Sequence, residues 1–223
     1  MRTFGKTQET SFRIRRTLFY YITDRHQLPS PSINALLMKV ERAVSWGVDF
    51  VQLREKDLSD LDLFHLTATA VRLARGTTCR ILVNGRFDIA LAANAHGVHL
   101  PSAGLESADL RPHLPRGFLV GVSTHSLGEA RRAAAGGADY ILLGPVFPTA
   151  SKIHYGEPLG LGCLRRVCSA VNIPVFGLGG IQSNAISSVL SAGACGVAGI
   201  SLFQQWLDPV SHEDWACPVT NYS

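Results

Sequence analysis

A chain of 223 residues with 46% apolar and 17% charged residues has the size of one domain and enough apolar material for a sizeable core. No apolar run reaches the roughly 18 residues that span a bilayer, and the N-terminal stretch lacks the continuous apolar segment of a secretory signal. The net charge of +4 lies entirely in residues 1–16, where Arg2, Lys6, Arg13, Arg15 and Arg16 face only Glu9, so charge gives no sign of a basic nucleic-acid face on the core.

Residues 1–17 are therefore set apart as a basic, disordered N-terminal extension, although an acid-poor transit peptide also fits. The first strand is expected at 19–24. A helix over 32–46 carries Ile33, Leu36, Leu37, Val40 and Val44 at spacings of three and four. The second strand, 50–56, leads to a helix over 59–74, with Ser59 as its cap and Asp62 in its first turn. Strands follow at 80–84, 97–100 and 119–125, then a helix over 126–135 and a strand at 140–147. A loop over 149–158, holding Gly, Pro and polar residues, suits a mobile lid. The last units are a strand at 174–179, a helix over 183–192 with Ser183 as a possible cap, and a strand at 196–201. Eight strand–helix units point to an α/β protein, a barrel or a doubly wound sheet, and eight units in about 185 residues favour closure into a single-domain (β/α)8 TIM barrel over 18–206, with a tail at 207–223. The five cysteines, Cys79, Cys163, Cys168, Cys195 and Cys217, include no C-x-x-C pair and read as reduced thiols.

In such barrels the chemistry sits at the C-terminal ends of the strands. Gln52, Arg54 and Lys56 alternate along the second strand, so all three share one face. Two cations there call for an anionic ligand, unless Glu55, Asp57 or Asp24 pairs with them. Asn84, His99, Ser123 and His125 end the next three strands, and Thr149 and Lys152 follow the sixth. Gly179 and Gly180 after the seventh strand, with Ile200 and Ser201 ending the eighth, have the pattern of a phosphate site. There glycine lets backbone N–H groups approach the anion. His125 is the candidate acid/base, because imidazole accepts and returns a proton near neutral pH.

Residues 18–203 resemble the thiamine-phosphate synthase and TenI superfamily. The matching strings include Y-I-T-D-R (21–25), V-Q-L-R-E-K (51–56), L-V-N-G-R-F-D-I-A-L (82–91), G-V-H-L (97–100) and G-V-S-T-H-S (121–126). They continue with G-P-V-F-P-T-A-S-K (144–152), G-L-G-G-I (177–181) and G-V-A-G-I-S (196–201). Where the synthase pattern carries two magnesium-binding aspartates, this chain has Gly85 and Gly104. That resemblance leans toward the TenI branch at the metal positions. It implies a thiazole tautomerase, an isomerase in which His125 moves a ring proton of a carboxythiazole phosphate.

On that expectation no metal or other cofactor is needed. The substrate is a small phosphorylated thiazole, gripped by Gly179, Gly180, Ile200 and Ser201 and flanked by Gln52, Arg54, Lys56, Asn84, Ser123, Thr149 and Lys152. The alternative is a thiamine-phosphate synthase, a transferase that joins a pyrimidine methyl diphosphate to a thiazole phosphate and uses Mg2+. A second alternative is a non-catalytic regulatory binder of the same phosphates. A cytoplasmic protein with no nucleic-acid or membrane partner is expected, and a homodimer is implied by the resemblance alone.

Overall fold

The computed structural model describes residues 16–149 and 157–207. Eight parallel strands, β1 (Leu18–Ile22), β2 (Phe50–Leu53), β3 (Arg80–Asn84), β4 (Gly97–Leu100), β5 (Leu119–Thr124), β6 (Tyr140–Leu143), β7 (Val175–Leu178) and β8 (Gly196–Gly199), follow one another around a closed barrel. β8 returns to β1, with Leu18 opposite Gly196 and Tyr21 opposite Gly199. The helices are α1 (Ile33–Ser45), α2 (Asp60–Leu73), α3 (Phe87–Ala92), α4 (Ser107–Leu110), α5 (Leu127–Ala135), α6 (Gly160–Ala170), α7 (Ile186–Ser191) and α8 (Ser201–Trp206). The chain is thus the single-domain (β/α)8 barrel that the strand–helix rhythm predicts.

Most strands end earlier than their apolar runs. β2 stops at Leu53 because the Arg54 N–H donates to the Thr23 hydroxyl at 3.0 Å rather than to a ladder carbonyl. β6 stops at Leu143, one residue before the Gly144–Pro145 bond, since proline brings no N–H to the ladder. Val146 and Phe147 nevertheless donate to the carbonyls of Leu178 and Gly179, so the chain stays beside β7 past the strand's end.

The serine caps form as expected at two helices: Ser59 accepts from the Asp62 N–H and Ser126 from the Glu129 N–H, at 3.1 and 3.2 Å. Ser183 does not cap. It opens a 3-10 turn (Ser183–Ala185) ahead of α7, and its hydroxyl accepts from the Trp206 indole at 3.2 Å. Arg16, placed by sequence in the basic extension, pairs with the buried Asp49, whose carboxylate also accepts from the Phe19 N–H at 2.9 Å. The ordered domain therefore includes this residue. The rest of the extension and the tail from 208 lie outside the described residues.

The apolar material forms two cores. The larger lies between strands and helices and includes Leu36, Val51, Leu66, Ile81, Ile141 and Leu164. The smaller fills the barrel's lumen, where Tyr20, Phe50, Tyr140 and Phe176 pack with ring centroids 5.5–5.9 Å apart. These offset and edge-on contacts suit aromatic rings. Gly121 makes the packing possible, because a Cβ there would stand 1.9 Å from Cζ of Tyr140.

Gly121→Ala is expected to lower the unfolding free energy by about 1–3 kcal/mol through overpacking. The control is Gly128→Ala in α5, where the nearest atom to an added Cβ is 3.7 Å away. It should leave stability unchanged or raise it by up to ~1 kcal/mol. Urea denaturation of both variants reads the difference, and equal stabilities would refute the packing argument.

Candidate functional site

The inward-facing residues at the ends of β2 to β5 form two hydrogen-bonded groups, Gln52 with Asn84 and His99 with Ser123. Gln52 Nε2 donates to Asn84 Oδ1 at 3.1 Å, and Gln52 is only 1% exposed. Its Oε1 is buried with no protein partner, a state that normally calls for a ligand or water donor. His99 is equally buried. Its Nε2 lies 2.8 Å from the Ser123 hydroxyl and its Nδ1 3.2 Å from that of Tyr140, which in turn lies 2.9 Å from the Tyr20 hydroxyl. Burial, and then the positive charge of Arg54, push the His99 pKa down to about 3. The ring is therefore neutral at physiological pH, with one nitrogen donating and the other accepting.

Beside these groups is a cavity of about 280 Å³ at the ends of β2 and β3. Arg54, Glu55, Lys56, Asn84, Gly85 and Arg86 give it polar lining, and Leu53, Leu58 and Leu63 its apolar wall. The sequence pattern allowed Arg54 and Lys56 to pair with neighbouring carboxylates, and the structure does not pair them so. Glu55 accepts from the Thr23 hydroxyl at 2.6 Å and from the Arg25 N–H and guanidinium, both at 3.1 Å. Asp57 is bound by Arg25 and His26, and its pKa is lowered mainly by the Arg25 hydrogen bonds. Asp60 and Asp88 both bind Arg86, which lowers their pKa values in turn. No carboxylate among the described residues pairs with Arg54, half-buried, or Lys56, exposed.

Magnesium, which the synthase alternative implies, needs hard oxygen ligands. Gly85 and Gly104 offer none, although nothing lies within 4 Å of a Cβ built on either. No three His, Cys, Asp or Glu side chains converge as a metal site among the described residues. The residues present do not fit a magnesium ion anchored on the protein.

His125 is less open than the sequence suggests. Its backbone N–H donates to Glu129 at 2.7 Å, and its Nδ1 hydrogen-bonds the Gly144 carbonyl at the end of β6. A carbonyl only accepts, so Nδ1 carries the proton and the ring is tied to the neighbouring strand. Gly179 and Gly180, at φ +92° and +66°, lie against the loop after β6, where a Cβ on Gly180 would come within 2.4 Å of the Pro148 carbonyl oxygen. Loop packing thus requires these glycines independently of any phosphate. Ile200 and Ser201 lead into α8, whose start has no side-chain cap. Thr149 is half-buried at the edge of the described chain, and Lys152 lies outside the described residues.

The structure therefore gathers Gln52, Arg54, Asn84, Ser123 and His99, with Lys56 at the cavity's rim. Sequence reasoning missed the tyrosine pair and the Arg25 and Arg86 clamps. Tyr20 and Tyr140 look like ordinary strand aromatics, and only the pleat shows that both face the lumen.

Residues 19–203 match the family described as thiamine monophosphate synthase. A protein of Geobacter sulfurreducens named putative thiamine-phosphate synthase is 48% identical over 85% of this chain and 88% of its own. The thiamine-phosphate synthase of Methanoculleus marisnigri is 41% identical over 71% of this chain and 75% of its own. Among solved structures, thiamine phosphate pyrophosphorylase from Pyrococcus furiosus superposes with a TM-score of 0.74 at 32% identity, covering 84% of this chain and 87% of that one.

These findings overturn the tautomerase expectation. Relatives at 35–48% identity carry the synthase name, so the isomerase expectation falls and the TenI leaning has no support. Gly85 and Gly104 tell only how a metal is not held. His125 has its ring oriented by the Nδ1 hydrogen bond to the Gly144 carbonyl.

His99 gives the site a pH signature. An unfolded histidine takes a proton near pH 6.5, whereas folded His99 takes one only near 3. The unfolded chain therefore binds the extra proton first as pH falls. This contribution is complete above about 6.5 and is lost toward 3, at up to ~1.4 kcal/mol per pH unit. Urea titrations between about pH 7 and 5 should show a shallower loss of stability in His99→Gln than in the parent. Parallel profiles would refute a neutral, buried His99.

Proposed function

The chain belongs to the thiamine monophosphate synthase family, and on that premise we propose that it is a thiamine-phosphate synthase. Its substrates would be a pyrimidine methyl diphosphate and a thiazole phosphate. The observation that carries this reading is the cavity at the ends of β2 and β3, where Arg54 and Lys56 have no carboxylate partner among the described residues. A polyanionic leaving group suits such a pocket.

In the proposed reaction the bond between the pyrimidine methylene carbon and the diphosphate oxygen breaks, and pyrophosphate leaves with the electron pair. The thiazole nitrogen gives its lone pair to the methylene carbon, which closes the new C–N bond. Arg54 and Lys56 would take up the charge that grows on the departing oxygen, with Thr149 and Lys152 completing the diphosphate site. Gln52 Oε1 and the Asn84 amide would meet the polar edge of the pyrimidine. Ser123, positioned by His99, would face the reacting centre. The backbone at Gly179, Gly180, Ile200 and Ser201 would hold the thiazole phosphate and align its nitrogen. A neutral His99 fits this chemistry, because it adds no charge to the region where the cation forms. The reading takes the protein as cytoplasmic, and no helix among the described residues is long and apolar enough to cross a membrane.

The test supplies the purified full chain with both ring substrates and follows thiamine phosphate and pyrophosphate together. Equimolar release is expected. Arg54→Ala should lower kcat/KM by about 100-fold, and Gln52→Ala by about tenfold. Absence of product, or product without pyrophosphate, would sink the assignment.

A further inference from the structure

We infer that this chain holds the diphosphate of its substrate through Arg54 and Lys56, without a divalent cation anchored on the protein. The inference rests on the synthase reading for the identity of the anion. For its chemistry it rests on the distribution of charge around the cavity.

A diphosphate in a barrel mouth needs countercharge. A divalent cation supplies it only where the protein or the phosphate oxygens hold the ion. Glu55, which lines the cavity, and the nearby Asp57, Asp60 and Asp88 each have a cationic partner already. Glu55 is held by Arg25 and the Thr23 hydroxyl, Asp57 by Arg25 and His26, and Asp60 and Asp88 by Arg86. A metal ion recruiting any of these would have to break an arginine pair. What remains uncompensated is positive: Arg54, half-buried where its charge reaches His99, and Lys56 at the rim. The Arg25 and Arg86 clamps thus tie up the acids and leave the other two cations for the ligand. Gly85 belongs to the same arrangement. It lines the cavity with open space at its Cβ position, so the pocket has room for an anion where a carboxylate would repel it.

The probe is inorganic pyrophosphate, titrated calorimetrically into the full chain in EDTA and again in magnesium chloride. Binding in EDTA is expected to be within about threefold of that in magnesium, or tighter. Arg54→Ala should weaken it about tenfold or more in EDTA, and Lys56→Ala by several-fold. Because Lys56 is exposed, the second variant keeps the fold even if the first does not. Gly85→Asp is the converse variant. Its φ of +70° lies in the region that aspartate tolerates better than most residues. It should weaken binding in EDTA about tenfold and make the remainder magnesium-dependent.

The inference is overturned if pyrophosphate binds the parent only with magnesium or more than about tenfold tighter with it. It is equally overturned if no binding occurs in either buffer, or if both cation variants bind like the parent. Magnesium-dependent binding with thiamine phosphate still formed would remove this inference and leave the function intact. Metal-free binding with no coupling of the two rings would remove the function and leave the anion site.

Discussion

The Tyr140 hydroxyl, in the lumen of the barrel, is the point on which the site depends. It meets the hydroxyl of Tyr20 from β1 and Nδ1 of His99 from β4, and His99 passes the connection to Ser123 on β5. Four strands are thereby linked through side chains as well as through their ladders. In either His99 tautomer the hydrogen bonds can all run in one direction along the chain, which satisfies groups that would be costly to bury alone. The condition for this is steric: Gly121 presents no Cβ, and the Tyr140 ring fills that space. A core packed in this way fixes Ser123 without using any group that titrates near neutral pH.

Around that neutral core the charges are sorted by pairing. Arg25, reaching from just after β1, ties down Glu55 and Asp57 on the far side of β2. Arg86, at the start of α3, gathers Asp60 of α2 and Asp88 of its own helix. The exposed pairs among these, Arg86 with Asp60 and Asp88, add little to stability. Their effect on function is larger, because they decide which charges face a ligand. The cavity faces its ligand with Arg54 and Lys56.

The same sorting explains where the chemical assignment from sequence failed. Read in the sequence, two glycines at carboxylate positions imply a different reaction. Relatives at 41–48% identity carry the synthase name, so the glycines bear on how charge is balanced and do not fix the reaction class. His125 stands at a strand end that matches a catalytic position, and its Nδ1 is bonded to the Gly144 carbonyl. The glycines at 179 and 180 are required by the loop after β6 lying against them. A motif records which residue stands at a strand end, and the neighbouring element decides what that residue is free to do.

Much of the architecture was legible in the chain alone. Eight short β-branched runs spaced by helical patterns determine a closed parallel barrel, because buried parallel strands and amphipathic helices admit few other arrangements. The cations Arg54 and Lys56 likewise mark the cavity's edge in the sequence, although β2 ends at Leu53 and the strand's alternation does not reach them. Which cations remain uncompensated was decided only by the tertiary structure. Arg25 and Glu55, or Arg86 and Asp60, lie some 30 residues apart in sequence, and their pairing depends on the barrel bringing adjacent strand ends together. The path from Tyr20 to Ser123 likewise joins residues more than 100 positions apart, and no local pattern records which side chains meet inside a closed lumen.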